Sequence, residues 1–133
     1  MLQSVNLRDY MLSNPVKVRA EDNILDAMRA IIDNKISGVC VVDGEANLVG
    51  VLSELDCLRA VLGATYNNSS IGSVGEHMTT ENLVVAHPDE DIVDLAQDML
   101  LKNIRRRPVV QDGKLIGQIT CRQLLSAVQK FRS

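Results

Sequence analysis

Few residues in this chain have types and spacing that could do chemistry. Ser53-Glu54-Leu55-Asp56 and Thr120-Cys121-Arg122-Gln123 each place a hydroxyl three residues ahead of a side-chain acceptor. At a helix start that spacing makes a capping box, in which each side chain accepts the other residue's backbone N–H. Arg105-Arg106-Arg107 is the densest basic run. The chain has 17 acidic residues to pair with it, and such surface pairs are routine.

The usual catalytic groups do not assemble. His77 and His87 lie ten apart without the ligand spacing of a metal site. Cys40, Cys57 and Cys121 have no matching His and Asn or Asp pattern for a nucleophile. Asp89-Glu90-Asp91 reads as a helix start, where acids complement the macrodipole, rather than as a cation site. Neither glycine-rich phosphate loop motif occurs. The expectation is a protein without catalytic activity, resident metal or cofactor.

Composition narrows the classes further. The net charge of −3 argues against attraction to nucleic acid or an anionic membrane, both of which favour a clustered positive excess. At 133 residues with 46% hydrophobic and 23% charged content, the chain is long enough to bury a core without disulfides. Aromatics are only 2%, so Val, Ile, Leu, Met and Ala must pack that core. No apolar run long enough for a membrane span and no signal-peptide pattern occurs. Three unclustered cysteines fit a reducing compartment, and a cytoplasmic location is expected.

The elements that must position these residues come in two copies. Met11 and Met78, Gly50 and Gly117, Ser53 and Thr120, and Leu58 and Leu125 all lie 67 apart. Between those anchors the offset is 68, pairing Ile24 with Ile92, Asp26 with Asp94, and Val41-Val42 with Val109-Val110. Each copy predicts a short strand (Val16 to Val18; Leu83 to Val85) and a helix capped at Asp22 or Asp89. Two strands follow, turning at Asp43-Gly44 or Asp112-Gly113, and then a final helix over about Glu54 to Leu62 or Cys121 to Phe131. The fold class is α/β (α+β): two β-α-β-β-α repeats, residues 1–63 and 76–133, joined by a polar linker at 64–75 and packed as one module, because neither repeat alone buries much.

The repeat Met, the Ile-x-Asp helix start, the Val-Val strand and the ending Gly50-Val51-Leu52-Ser53-Glu54-Leu55-Asp56 together resemble the CBS (cystathionine-β-synthase) repeat over nearly the whole chain. The second ending, Gly117 to Gln123, keeps the hydroxyl but carries an amide where the pattern has a carboxylate. The resemblance implies a tandem CBS pair, or Bateman module, whose clefts between repeats take an adenosine-containing regulatory ligand such as AMP, ADP or ATP. It also implies a homodimer that signals to an effector protein.

By that resemblance Asp56 holds the ribose hydroxyls and Ser53 the ribose or phosphate, with Thr120 and Gln123 as their counterparts. Arg105, Arg106 and Arg107 lie near phosphates, and Val16, Ile36, Leu83 and Ile104 make an adenine slot. A carboxylate has acceptor capacity for two ribose hydroxyls, and guanidinium forks suit phosphate oxygens. Gln123 offers one neutral oxygen, which costs about 1.5 to 3 kcal/mol of a charge-assisted contact, so unequal sites are expected. Two alternatives stay open: Ser53 and Asp56 as a cap alone, and a ligand-free dimerisation or docking module, which Gln123 and Gly38 favour.

Overall fold

The computed structural model of the chain describes residues 4–130; Phe131, expected at the end of the last helix, lies outside the described residues. In chain order a 3₁₀ turn (Leu7–Asp9) precedes β1 (Leu12–Ser13), β2 (Lys17–Arg19), α1 (Ile24–Asp33), β3 (Gly38–Val42), β4 (Leu48–Ser53) and α2 (Glu54–Asn67). Then come α3 (Val74–His77), α4 (Ile92–Lys102), β5 (Arg106–Gln111), β6 (Lys114–Thr120) and α5 (Cys121–Lys130). Two compact units divide these elements. One runs from Val16 to Leu83, and the other joins the chain up to Pro15 to the chain from Val84 onward. The stretch leading into each repeat is thus built into the unit of the other repeat.

In the Val16–Leu83 unit, β3 is the middle strand, parallel to β2 and antiparallel to β4. All five of its residues, Gly-Val-Cys-Val-Val, are buried, as the near-continuous apolar run of a covered central strand should be. Ile24, Ala27 and Ile31 recur at helical spacing on α1 and close the core with Val39, Val41, Leu52, Cys57 and Val74. Asn23 starts that helix by accepting the Leu25 N–H at 2.8 Å.

The second unit orders its sheet β1-β6-β5. Its core joins Leu7 to Ala86, Ile92, Leu95, Met99, Val109 and Ile119. The β5–β6 hairpin turns on Asp112 (φ 53°) and Gly113 (φ 81°), the two positive angles that a tight two-residue turn demands. In both units a glycine lets the Met-bearing stretch cross the sheet edge. A Cβ on Gly50 would lie 2.8 Å from Met78 Sδ and 2.9 Å from the Thr79 carbonyl, and one on Gly117 would lie 2.7 Å from the Leu12 carbonyl.

Several expectations need correction. Leu83 to Val85 forms no strand; pairing is confined to one parallel bridge, Ala86 with Val109. The left-handed Asn82 (φ 56°) turns the chain just before it, and Pro88 just after it has no N–H to extend the ladder. The caps are Asn23 and Asp91 rather than Asp22 and Asp89; the Asp22 carboxylate instead accepts the Arg19 N–H at 2.8 Å. The Asp43-Gly44 signal opens a five-residue loop, because Asp43 Oδ1 accepts both the Glu45 and the Asn47 N–H at 2.9 Å. Helix α2 continues past Leu62 to Asn67 and stops at Asn68 in the left-handed region.

Candidate ligand site around Asp56

Ser53 ends β4 in an extended conformation and caps α2, which makes Asp56 the third residue of that helix. The Ser53 N–H donates to Asp56 Oδ2 at 2.9 Å, and the Asp56 N–H donates to Ser53 Oγ at 3.1 Å. Asp56 is buried, at 6% exposure. Two further residues reach its carboxylate. Thr79, held against β4 by its backbone bridge to Val51, donates from Oγ1 to Oδ2 at 3.3 Å, with Oδ1 at 3.5 Å. Arg59, one helical turn on, brings Nη2 to 3.2 Å from Oδ1 while most of its side chain stays in solvent.

The second repeat builds the same box with neutral groups. The Thr120 N–H donates to Gln123 Oε1 at 2.9 Å, and the Gln123 N–H donates to Thr120 Oγ1 at 3.1 Å. A capping role is therefore realised in both copies. Where the first copy has Asp56, Arg59 and Thr79, positions 67 away hold Gln123, Ser126 and Leu12.

The arginine run splits by exposure, with Arg105 exposed, Arg106 half-buried and Arg107 buried. Arg107 Nη2 donates to Asp98 Oδ2 on α4 at 2.6 Å, and its buried Nε has no hydrogen-bond partner. Lys102 Nζ adds a contact to the same Asp98 oxygen at 3.2 Å. Hydrogen bonds from Arg107 first and Lys102 second hold the Asp98 carboxyl below the usual carboxylate range.

The adenine-slot residues scatter between the two units. Val16 and Ile36 are half-buried and pack together against the first core. Leu83 is half-buried in the same unit, while Ile104 belongs to the second, where it lines a groove with Met99, Leu100 and Leu125. Ser53 and Asp56 meet in one unit, and Thr120 and Gln123 in the other with the arginines.

Sequence reasoning missed Thr79 and Arg59. Arg59 was legible as the residue one turn beyond Asp56. Thr79 was not, because it lies 23 residues from Asp56 and opens the sequence of the other repeat.

Among the described residues, no three His, Cys, Asp or Glu side chains gather as a metal site. Burial first, then the Asp56 and Glu54 carboxylates, push the Cys57 thiol up, away from the thiolate a nucleophile needs. No helix among the described residues is long and apolar enough to cross a membrane.

Two sheet-and-helix repeats, each ending in a hydroxyl-capped helix, define the class, and comparison with known proteins agrees. The family model for the CBS domain matches twice, at residues 7–63 and 73–130. The chain belongs to the CBS domain family and is a tandem CBS pair.

It is 30% identical over 114 residues to the uncharacterized protein MJ1225 of Methanocaldococcus jannaschii. It is 36% identical over 117 residues to inosine-5'-monophosphate dehydrogenase of Aquifex aeolicus. Each match covers 86% of this chain, which spans only 39% and 23% of those two proteins. Among solved structures, CBSX2 in complex with AMP is 31% identical, with a TM-score of 0.82 over 97% of this chain and 100% of that one. The CBS domain pair of protein MJ0100, in complex with 5'-methylthioadenosine and S-adenosyl-L-methionine, is 25% identical, with a TM-score of 0.76 over 96% of this chain and 98% of that one.

Proposed function

We propose that this chain is a regulatory module that binds an adenosine-containing ligand (AMP, ADP or ATP), with its ribose on Asp56, and passes the bound state to a partner protein without catalysing a reaction. The observation that carries this reading is the buried Asp56 carboxylate in contact with the hydroxyl of Thr79, an exposed residue, in a family whose solved members include one in complex with AMP. A ligand that binds one conformation better than another shifts their populations, and a partner can read that shift. The free thiols of Cys57 and Cys121 fit a place in the cytoplasm.

The test is calorimetric titration of AMP, ADP, ATP and S-adenosylmethionine into the wild type, Asp56→Asn and Gln123→Ala. Asn keeps an acceptor for the cap while removing the charge. Saturable binding that weakens about 10-fold to 150-fold in Asp56→Asn and little in Gln123→Ala supports the reading. No heat and no thermal stabilisation at millimolar ligand sinks it.

A second reading, a self-associating module, rests on apolar side chains left in solvent. In the first unit, Ile32 is 71%, Leu55 64% and Leu58 56% exposed; in the second, Leu100 is 82% and Leu125 67% exposed. Grouped exposure of this kind marks interaction surfaces, and the occupant proposed is a second copy of this chain. Sedimentation velocity should give a dimer that Leu58→Glu weakens; a wild-type monomer at 100 μM would exclude it.

A further inference from the structure

Two apolar grooves in this chain are the same feature built twice. In the Val16–Leu83 unit, Ile31 and Ile32 of α1 and Cys57 and Leu58 of α2 line one. In the other unit the residues at the repeat offsets, Met99 and Leu100 of α4 and Leu124 and Leu125 of α5, line the second. What the two copies do not share is charge. Among its described lining residues the first groove carries one charged side chain, Glu54, and the position 67 later is Cys121. The second carries one of opposite sign, Arg105, and the position 68 earlier is Ser37. Both charged residues are exposed, and among the described residues neither has an ion-pair partner in its own chain.

Like grooves set face to face would bring two Glu54 carboxylates together, or two Arg105 guanidinium groups, where apolar contact expels water. Like charges so placed are strongly disfavoured, whereas opposite charges fix which surfaces meet. Unlike grooves match apolar wall to apolar wall and set Glu54 opposite Arg105. Under two-fold symmetry that contact is made twice, since residue i meets j wherever j meets i.

We propose that the occupant of each groove is the opposite groove of a second copy of this chain, with the pairing selected by Glu54 and Arg105. The proposal rests on the self-association reading and adds its polarity: the Glu54 groove of one copy meets the Arg105 groove of the other, twice per dimer.

The experiment is sedimentation velocity over a concentration series on the wild type, Glu54→Arg, Arg105→Glu and the double variant, with melting curves to verify folding. Each single reversal should weaken the dimer by about tenfold or more, and the double variant should recover most of that loss. Glu54→Gln, which disturbs the start of α2 less, should weaken the dimer too. In a dimer of like grooves the neutral Gln would relieve repulsion instead, so tighter association of Glu54→Gln overturns the pairing. Reversals without effect, or a double variant no tighter than the singles, also overturn it while self-association stands. A wild type that stays monomeric removes both.

Discussion

Arg107 stands where the first repeat has Val39, 68 residues earlier, and Val39 is a core residue at 3% exposure. Arg107 itself is 4% exposed. One strong bond joins its Nη2 to Asp98 at 2.6 Å, and its Nε is unpartnered. Replacing it with Met forfeits a charge-assisted bond of about 1.5 to 3 kcal/mol and relieves an unsatisfied buried donor of about 1 to 3 kcal/mol. Those contributions nearly cancel. Apolar replacements of buried ion pairs are often neutral or stabilising, and Asp98 retains Lys102. Arg107→Met should therefore leave unfolding free energy unchanged or raise it by up to about 2 kcal/mol, a rise in Tm of several degrees. Urea denaturation with an unchanged m-value is the assay. A loss of about 3 kcal/mol or more would refute the reasoning and make the ion pair a net stabiliser.

Four further outcomes follow from the structure. Gly50→Ala should cost about 1 to 3 kcal/mol, because the Thr79 carbonyl 2.9 Å away cannot yield; Gly63→Ala on α2, with nothing within 4 Å, should stabilise by about 0.5 to 1 kcal/mol in the same denaturation series. The Asp98 carboxyl is lowered in the folded chain, so its contribution is present above the unfolded value near 4 and is lost as pH falls through the folded value. Stability measured down to about pH 2 should show an acid-labile component that Asp98→Asn lacks, and superimposable curves would contradict it. Iodoacetamide with mass mapping should modify exposed Cys121 well before buried Cys57, whose thiol is pushed up; equal rates would count against that.

Legibility in the sequence tracked how local each feature is. Helices α1 and α4, the β3–β4 and β5–β6 pairs and the Ser53/Asp56 box follow from spacing within a few residues. The second unit's missing strand was hidden because Leu83-Val84-Val85 has strand composition, and what prevents pairing lies outside it, at Asn82 and Pro88. The exchange of leading stretches could not be read from the repeat. An offset of 67 says that Met11 and Met78 are equivalent, but not that each crosses the glycine of the other copy. Thr79 was hidden for the same reason. Arg107 looked like its neighbours in a basic run, and what separates it is burial on β5 beside Asp98 of α4, a residue nine positions earlier.

Equilibrium dialysis of labelled AMP against the wild-type chain tests the central claim most directly, by counting tight sites. The contrast of Asp56, Arg59 and Thr79 with Gln123, Ser126 and Leu12 predicts one tight molecule per chain, with any second at least tenfold weaker. Two equal sites would show that the carboxylate and its neighbours do not set affinity, and none would leave Asp56 as a helix cap alone.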